Sequence, residues 1–331
     1  MVEAQAVMFV APRRIELRTI EVHEPADDEV LVATSHSGIS AGTEMLAYRG
    51  EVDPGLPLDA TIGSLGGTFT YPFTYGYSCV GYVERPGGGL DEGTAVFAYH
   101  PHQSHFCVQA NDVVPIEAVP PRDATLFPLV ETALQITLDA GPVFGQTVVV
   151  MGLGAVGLLV GALLTRGGAR VLGGEPRDWR RAAAPAFGVQ AVAPDALTTV
   201  VADATGGVGV PLVVEVSGNP AGLASSLALL AHEGMALVAS WYGTKPVTLP
   251  LGAEFHRRRL SIRSTQVSTI PAHLQDRWTV ARRRAVTLDL LSDVPLGALA
   301  THSFPVADAD FAFSAVDRAE TGLLHAALSY A

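Results

Sequence analysis

The sequence predicts an α/β protein in which a doubly wound parallel sheet accompanies a separate, β-rich domain. Three observations lead to this fold class. Residues 146–265 alternate strand-like apolar runs with helical stretches, which is typical of a parallel sheet covered by helices on both faces. A glycine-rich turn at Gly152–Gly157 follows the first of these runs. Residues 1–118 instead contain short strand-like segments separated by glycine and proline, which favours a barrel-like β domain.

Composition argues against several functional classes. The chain has 331 residues and a net charge of −12, so a phosphate-rich partner such as a nucleic acid is not expected. Its 2 cysteines can form neither a disulfide framework nor a four-thiolate zinc site. The apolar run Val148–Leu164 is shorter than the ~20 residues that span a bilayer, and the N-terminus lacks the pattern of a secretory signal. We therefore expect a cytoplasmic protein without membrane or nucleic-acid partners.

The elements of the first domain are short. A helix then covers Arg122–Ala140, because apolar residues recur there at helical spacing and Gly141 and Pro142 end the pattern. We expect this helix to connect the two domains. The predicted strands that precede it include Glu29–Thr34, Ser78–Glu84, Thr94–Ala98 and Phe106–Gln109.

The second domain has the clearest pattern. The chain after it predicts a helix at Trp278–Leu291 and a strand–helix pattern from Thr301 onward. Within the domain, strands and helices alternate at Val148–Met151, Gly154–Thr165, Arg170–Gly173, Leu212–Val216, Gly222–Leu230 and Met235–Ser240.

The turn after the first strand of this domain has the G-x-G-x-x-G pattern of dinucleotide-binding folds. We expect Gly152 to allow the tight turn, Gly154 to let the backbone approach a pyrophosphate, and Gly157 to let the helix pack closely on the strand. The N–H groups at the start of the helix would then face the phosphates. The predicted cofactor-binding turn consists of Gly152, Leu153, Gly154, Ala155, Val156 and Gly157.

Residues after the next strand bear on the choice between NAD and NADP. Glu175 is expected to accept hydrogen bonds from the adenosine ribose, and its charge would repel a 2′-phosphate. Arg177, Arg180 and Arg181 follow closely, and they could bind that phosphate if Glu175 turns away. We expect NAD(H) to be favoured over NADP(H).

Several short runs of the sequence together indicate a family. They are Ser37–Ser40 with Gly42–Glu44, Tyr75–Gly81, Leu129–Glu131, Gly152–Gly157 and Glu215–Gly218. In these runs, and in the order of its elements over essentially its whole length, the chain resembles the medium-chain dehydrogenase/reductase superfamily. The resemblance implies a GroES-like catalytic domain at residues 1–132, a Rossmann domain at 133–265, and a segment at 266–331 that returns to the first domain. Within the superfamily, the Ser37–Glu44 and Ser240–Pro246 segments are similar to a branch of zinc-binding alcohol dehydrogenases and bacteriochlorophyllide hydroxyethyl dehydrogenases.

The chain departs from the zinc-dependent members of the superfamily at their metal ligands. Ser40 stands where those members have a cysteine, and Tyr77 and Ser78 replace the last two residues of their Gly-His-Glu segment. Only Glu131 remains at a position where polyol-type members place a metal ligand. A zinc site needs about three nitrogen, sulfur or carboxylate ligands. We therefore expect a zinc-free enzyme with no bound metal.

Three histidines near residue 100 have two interpretations. Strand alternation would place His100 and His102 on one side and His105 on the other, so a shared metal ion would require an irregular loop. We expect instead that His100 and His102, together with Tyr99, line the substrate pocket, or that the histidines are surface loop residues.

Hydride transfer to a carbonyl builds negative charge on oxygen, which needs a proton donor or fixed dipoles. Tyr77 is the first candidate for the acid, and Ser40 is the other hydroxyl at a former ligand position. The resemblance implies that Thr43 relays protons beside the nicotinamide ribose. Glu44 and Glu131 could orient a hydroxyl or a histidine, or act as a base. Packing is the alternative role for Tyr77 and Ser40, and a hydrogen-bonded scaffold role is the alternative for Glu44.

The resemblance also implies cofactor contacts later in the chain. Trp241 and Tyr242 follow a strand at the edge of the sheet where dinucleotides bind, and Trp241 is also expected in the substrate pocket. Ser217 belongs to a matching run, and His325 stands where relatives have a pyrophosphate-binding cation. An aromatic lining would suit a bulky or aromatic substrate. This lining is expected to comprise Tyr71, Phe73, Tyr75, Tyr77, Phe97, Tyr99, Trp241 and Tyr242.

These residues predict a zinc-independent, NAD(P)-dependent oxidoreductase that interconverts a secondary alcohol and a ketone on a bulky or aromatic small molecule, such as a secondary metabolite. One alternative is NAD(P)H-dependent reduction of an enone or quinone, which needs no strong acid at the oxygen. Another is a cofactor-binding protein without catalysis. The Arg259–Ser264 segment predicts an unpaired sheet edge, so we expect a homodimer.

Overall fold

The computed structural model describes residues 1–116 and 119–330, and in it the chain divides into two units. Unit 1 comprises Met1–Pro128 and Leu296–Ala331, and unit 2 comprises Leu129–Pro295. The chain thus leaves unit 1 once and returns to it once. Within residues 1–116 and 119–330, no helix combines the length and the apolar content needed to cross a bilayer.

The strands and α-helices are labelled in chain order. They are β1 (Val2–Ala11), β2 (Arg14–Val22), β3 (Glu29–Ile39), α1 (Thr43–Arg49), β4 (Phe73–Thr74), β5 (Cys79–Arg85), β6 (Ala95–Ala98), β7 (His105–Gln109), β8 (Val113–Pro115), α2 (Pro121–Ala124), α3 (Phe127–Ala140), β9 (Thr147–Met151), α4 (Ala155–Arg166), β10 (Arg170–Gly174), α5 (Asp178–Ala183), β11 (Val189–Val192), α6 (Pro194–Thr205), β12 (Val210–Glu215), α7 (Pro220–Leu229), β13 (Leu230–Val238), β14 (Ser261–Ser264), α8 (Val280–Asp293), β15 (His302–Pro305), α9 (Ala309–Asp317) and β16 (Ala326–Ser329).

Unit 1 is built around two sheets. A 3-stranded antiparallel sheet has the order β2-β1-β4. A 7-stranded sheet has the order β15-β16-β3-β5-β6-β8, with β7 also paired to β3. The C-terminal strand β16 pairs antiparallel with β3, so the return of the chain completes the sheet that begins near the N-terminus.

Most of the aromatic residues expected to line a cleft lie in the core of unit 1 instead. Phe73 stacks on Phe9 with ring centroids 5.2 Å apart, and Tyr75 meets Phe9 edge to face. Phe97 is fully buried, and the hydroxyl of the partly buried Tyr71 donates to the carbonyl of Ala47. The structure therefore corrects the expectation, because closely spaced aromatic side chains bury more apolar area by packing together than by facing solvent.

Unit 2 contains a 6-stranded sheet in the order β11-β10-β9-β12-β13-β14, and all of its strand pairs are parallel. Val148–Met151 of β9 are buried without alternation, as expected for a strand that is covered on both faces. The strand order reverses direction between β9 and β12, where doubly wound sheets bind ligands. These findings confirm the predicted fold class, a doubly wound parallel sheet together with a separate β-rich unit.

The return to unit 1 lies later than the expected residue 266. Residues up to Pro295 belong to unit 2, and α3 crosses the first boundary at Pro128. Helix α8 stays with unit 2 because Arg283 donates hydrogen bonds to the side chains of Glu131 and Gln135 on α3, at 3.0 and 2.6 Å. These long-range bonds leave no local trace in the sequence.

Candidate cofactor and catalytic sites

The glycine-rich turn has the backbone geometry that its three glycines predict. Gly152 has φ +94, and a Cβ there would come within 2.6 Å of the Ser217 backbone. A Cβ on Gly157 would lie 1.9 Å from the carbonyl oxygen of Gly152. At Gly154, by contrast, a Cβ would meet only the Nη1 atom of Arg180, at 3.7 Å. Gly154 therefore leaves open the space that a pyrophosphate would occupy.

Helix α4 begins at Ala155, directly after Gly154. The first N–H groups of a helix lack intrahelical acceptors, and the helix dipole makes this end positive. The turn also touches Ser217, which follows β12, so it lies at the point where the strand order reverses. The backbone of residues 154–157 is thus suited to hold the phosphates of a dinucleotide.

Glu175 is buried and organises the turn from inside. One carboxylate oxygen accepts the N–H of Leu153 at 3.0 Å, and the other accepts the N–H of Arg177 at 3.0 Å. The side chain is only 2% exposed, so ribose hydroxyls would reach it only if it turned outward. Sequence reasoning expected the carboxylate to face the ribose and did not foresee its bonds to the turn.

Two arginines surround this carboxylate. The Nη1 atoms of Arg177 and Arg180 lie 3.9 and 3.8 Å from Glu175. The Nε atom of Arg180 is buried without a hydrogen-bond partner among the described residues. Burial lowers the pKa of the Arg180 guanidinium, while Glu175 opposes that shift. An anionic group beside Gly154 would satisfy this arginine, which fits a dinucleotide phosphate.

The buried carboxylate of Glu215 joins the loops after β12 and β13, a role that the sequence did not predict. Glu215 accepts the N–H of Ser217 at 2.9 Å and the hydroxyl of Tyr242 at 2.5 Å, and it also accepts the Ser217 hydroxyl. Burial and Glu215 raise the pKa of Tyr242. Trp241 is 42% exposed. Of the expected contacts in these loops, Trp241 is thus exposed, while Ser217 and Tyr242 are tied to Glu215.

The candidate catalytic residues of unit 1 meet at the turn between β3 and α1. Glu44, in the first turn of α1, accepts the backbone N–H of Ser40 at 2.8 Å. Ser40 and Thr43 lower the pKa of Tyr77 while Glu44 raises it, which places all three residues near the phenol. The structure therefore brings together four of the five candidate catalytic residues, namely Ser40, Thr43, Glu44 and Tyr77.

Tyr77 is a neutral hydrogen-bond donor in this setting. Burial, reinforced by the Glu44 carboxylate, raises the pKa of Tyr77 above its usual range, and the effects of Ser40 and Thr43 only partly offset that rise. A phenol of this kind can donate a hydrogen bond or a proton to a developing alkoxide. It is poorly suited to act as a base.

The histidines expected in the substrate pocket have other partners. His102 is 0% exposed, with Nδ1 2.7 Å from Ser37 Oγ and Nε2 2.8 Å from Glu44, so it cannot touch a substrate. His100 stacks on Phe106 at 3.9 Å, and burial lowers its pKa to about 4, which leaves the ring neutral. Tyr99 is half-buried and packs edge to face on Phe97.

His325 does not supply the positive charge that the resemblance implies. It is buried in unit 1, where its Nε2 atom lies 3.0 Å from the hydroxyl of Thr125. Burial lowers its pKa to about 4, so the ring is neutral at physiological pH. A neutral, enclosed imidazole cannot act as a pyrophosphate-binding cation.

The candidate ligand positions do not fit a zinc ion. Ser40 and Tyr77 offer only alcohol and phenol oxygens, which are poor zinc ligands. The remaining carboxylate, Glu131, accepts a hydrogen bond from the buried Arg283 at 3.0 Å, so it is engaged in this ion pair rather than placed as the base that the sequence offered. The Nε2 atom of His105 lies 3.5 Å from Glu84, whereas that of His102 lies 2.8 Å from Glu44, so the two histidines do not share a partner here. Across residues 1–116 and 119–330, no three His, Cys, Asp or Glu side chains form a group that could hold a metal.

Comparisons with known proteins agree with this arrangement of elements. A family model for zinc-binding dehydrogenases matches residues 155–283. The chain is 27% identical over 330 residues to 2-desacetyl-2-hydroxyethyl bacteriochlorophyllide A dehydrogenase of Cereibacter sphaeroides, a match that covers 93% of each chain.

Solved structures show the same fold. An alcohol dehydrogenase from Thermotoga maritima superimposes with a TM-score of 0.81 at 17% identity and covers 100% of both chains. The 2R,3R-butanediol dehydrogenase of Bacillus subtilis gives a TM-score of 0.79 at 18% identity and covers 98% of this chain and 99% of its own. The relative found by sequence and these two solved structures are all named as dehydrogenases.

Proposed function

We propose that the chain is an NAD(P)-dependent dehydrogenase of the medium-chain dehydrogenase/reductase superfamily and that it interconverts a secondary alcohol and a ketone without zinc. The observation that carries this proposal is the position of the partly buried Tyr77 near Ser40, Thr43 and Glu44, the residues that shift its pKa. It provides a neutral proton donor where the resemblance leads one to expect metal ligands. The substrate is a bulky or aromatic small molecule such as a secondary metabolite, supported by the relative whose name specifies a bacteriochlorophyllide.

Unit 2 supplies the cofactor site. The open backbone at Gly154 and the first turn of α4 would hold the pyrophosphate, with Arg180 beside them. The exposed Trp241 would contact the nicotinamide half or the substrate. A bound nicotinamide cofactor supplies or accepts the hydride.

Unit 1 supplies the proton. As negative charge develops on the carbonyl oxygen, the Tyr77 hydroxyl would donate its proton to that oxygen and become a phenolate, with Ser40 and Thr43 nearby to lower the cost of that charge. Alcohol oxidation would use the same contacts in reverse.

The absence of zinc is part of the proposal and rests on the chemistry of the ligand positions. Zinc needs about three nitrogen, sulfur or carboxylate ligands. Of Ser40, Tyr77 and Glu131, only Glu131 offers such a group, and its charge is balanced by Arg283. A metal would have to displace this buried ion pair to bind there.

The test is metal analysis of the purified protein combined with assays of bulky aryl ketones using NADH and NADPH. We expect less than stoichiometric zinc and turnover that survives chelation. Tyr77→Phe should lower kcat by about 10²–10⁴, the usual contribution of a general acid. Tyr82→Phe is the matched control, since Tyr82 is an exposed tyrosine of unit 1. One zinc per chain with activity lost on chelation, or full activity of Tyr77→Phe, would overturn the proposal.

The raised pKa of Tyr77 also favours a second candidate reaction, the reduction of an activated C=C bond or a quinone. That chemistry tolerates a weak acid, because the enolate that forms is less basic than an alkoxide. Enone or quinone turnover in the same panel that is unaffected by Tyr77→Phe would identify this reaction. Nucleotide binding without any turnover would instead indicate a cofactor-binding protein without catalysis.

We further propose that NAD(H) is preferred over NADP(H). Glu175 places a negative charge beneath the turn, and its contacts with Arg177 and Arg180 offset the positive charge that a 2′-phosphate would need. Titration with both reduced cofactors by nicotinamide fluorescence measures the preference. Equal or tighter binding of NADPH would contradict it.

The partner we propose is a second copy of this chain. Strand β14 is the edge of the sheet in the described part of unit 2, and three of its four residues are exposed. An edge of this kind can pair across a two-fold axis. A mass measurement in solution that finds only the 34.6 kDa monomer would refute the dimer.

A further inference from the structure

We infer that a buried histidine–glutamate pair, His102 and Glu44, positions Tyr77 for proton donation. The inference rests on the proposed function, since it assigns these two residues a role in the same site. Neither side chain reaches solvent, so they act through other residues and are positioning residues.

The first step concerns the turn that carries Ser40 and Thr43. Glu44 uses one carboxylate oxygen to accept the N–H of Ser40 at 2.8 Å. Its other oxygen lies 2.8 Å from Nε2 of His102. Because both oxygens are engaged, the carboxylate cannot rotate without breaking a bond, and the turn after β3 is fixed relative to His102.

The second step concerns the segment that carries Tyr77. The backbone N–H of His102 donates to the carbonyl of Tyr75 at 3.2 Å. The next residue, Gly76, has φ +109, and a Cβ there would lie 2.6 Å from Cδ2 of the His102 ring. The imidazole therefore occupies the space beside the residue that directly precedes Tyr77. His102 thus fixes the segment that carries Tyr77 directly and, through Glu44, the turn that carries Ser40 and Thr43.

The third step fixes the imidazole itself. Its Nδ1 atom lies 2.7 Å from the Ser37 hydroxyl, which lies 2.9 Å from the hydroxyl of Tyr330. These distances allow Nε2–H to donate to Glu44, Nδ1 to accept from Ser37, and Ser37 to accept from Tyr330. In that arrangement, the hydrogen bonds from Tyr330 through Ser37 and His102 to Glu44 all run in one direction, and each donor has an acceptor. The edge of the ring also contacts Phe313.

The conservative variants Glu44→Gln and His102→Asn test this role. We expect each to lower kcat for ketone reduction by about 10- to 100-fold, the usual cost of misplacing a catalytic group, with a smaller change in KM. The affinity for reduced nicotinamide, measured by fluorescence, should not change, because that site belongs to unit 2. Glu84→Gln is the matched control, since Glu84 forms an exposed pair with His105 in the same unit.

A double-mutant cycle separates positioning from general loss of structure. If the pair acts through Tyr77, Glu44→Gln should have little further effect on kcat when Tyr77 is already phenylalanine. Effects on kcat that simply multiply, or a variant that only lowers Tm, would overturn the inference. The proposed function fails separately, if Tyr77→Phe alone leaves ketone reduction unchanged.

Discussion

Arg283 donates a hydrogen bond to Glu131 at 3.0 Å, and both side chains are almost completely buried. The same guanidinium donates to Gln135 at 2.6 Å, one helical turn further along α3. Helices α3 and α8 are thus joined by the ion pair of Glu131 and Arg283. A carboxylate at a position that the resemblance assigns to a metal ligand has a protein cation as its partner.

Removal of this cation should destabilise unit 2. Arg283→Met removes the cation that is paired with the buried Glu131 carboxylate, which costs about 3–5 kcal/mol in unfolding free energy. Arg166→Met is the control, because its ion pair with Asp293 joins the same helix at an exposed site. Urea unfolding measures both. A double variant with Glu131→Met should recover most of the loss, and failure to recover would show that the charge is not the cause.

Neutralising Glu175 should shift the cofactor preference. In Glu175→Gln, the contacts that offset the charges of Arg177 and Arg180 are lost, so NADPH should bind on the order of tenfold more tightly relative to NADH, or ~1.4 kcal/mol. Asp178→Asn is the control, because it removes an exposed carboxylate paired with Arg181 nearby. Fluorescence titration gives the ratio of the two dissociation constants. An unchanged ratio would mean that these arginines do not face the 2′ position.

Two glycines of the turn should respond differently to the same substitution. Gly154→Ala places its methyl group in open space, so stability should change by less than about 1 kcal/mol. NADH affinity should nevertheless fall by about tenfold or more, because the methyl group lies where the pyrophosphate approaches. Gly157→Ala should instead lower stability by roughly 1–3 kcal/mol, since its Cβ would overlap the Gly152 carbonyl. Unchanged NADH binding by Gly154→Ala would contradict the predicted site.

His325 should contribute to acid sensitivity. Its folded-state pKa of about 4 lies below the ordinary value of 6.5, so the unfolded chain binds the proton more readily between these values. Stability from this group is therefore present above pH 6.5 and is lost as pH falls toward 4, by about 3 kcal/mol at most. His325→Gln should flatten the pH dependence of the urea midpoint, whereas the more exposed His302→Gln should not. An equal slope in both variants would rule out His325 as the source.

Much of the fold and of the cofactor site could be predicted from local sequence patterns. Gly152 and Gly157 identify the turn because their missing side chains are required by contacts with nearby backbone. The catalytic neighbourhood was also predictable in part, since Ser40, Thr43 and Glu44 adjoin one another in sequence. The resemblance implies an aromatic cleft lining, but sequence spacing does not distinguish a lining from a core, and Phe73 and Tyr75 belong to the core.

The sequence by itself determined the doubly wound sheet, the dinucleotide turn and the lack of cysteine or histidine at the expected ligand positions, because each depends on periodicity or on residue type. Only the tertiary structure decided the pairing of His102 with Glu44, of Arg283 with Glu131, and the inward direction of Glu175. The physical reason is burial. Removing a charged or polar group from water makes its hydrogen-bond partner decisive, and those partners come from strands and helices far apart in the chain.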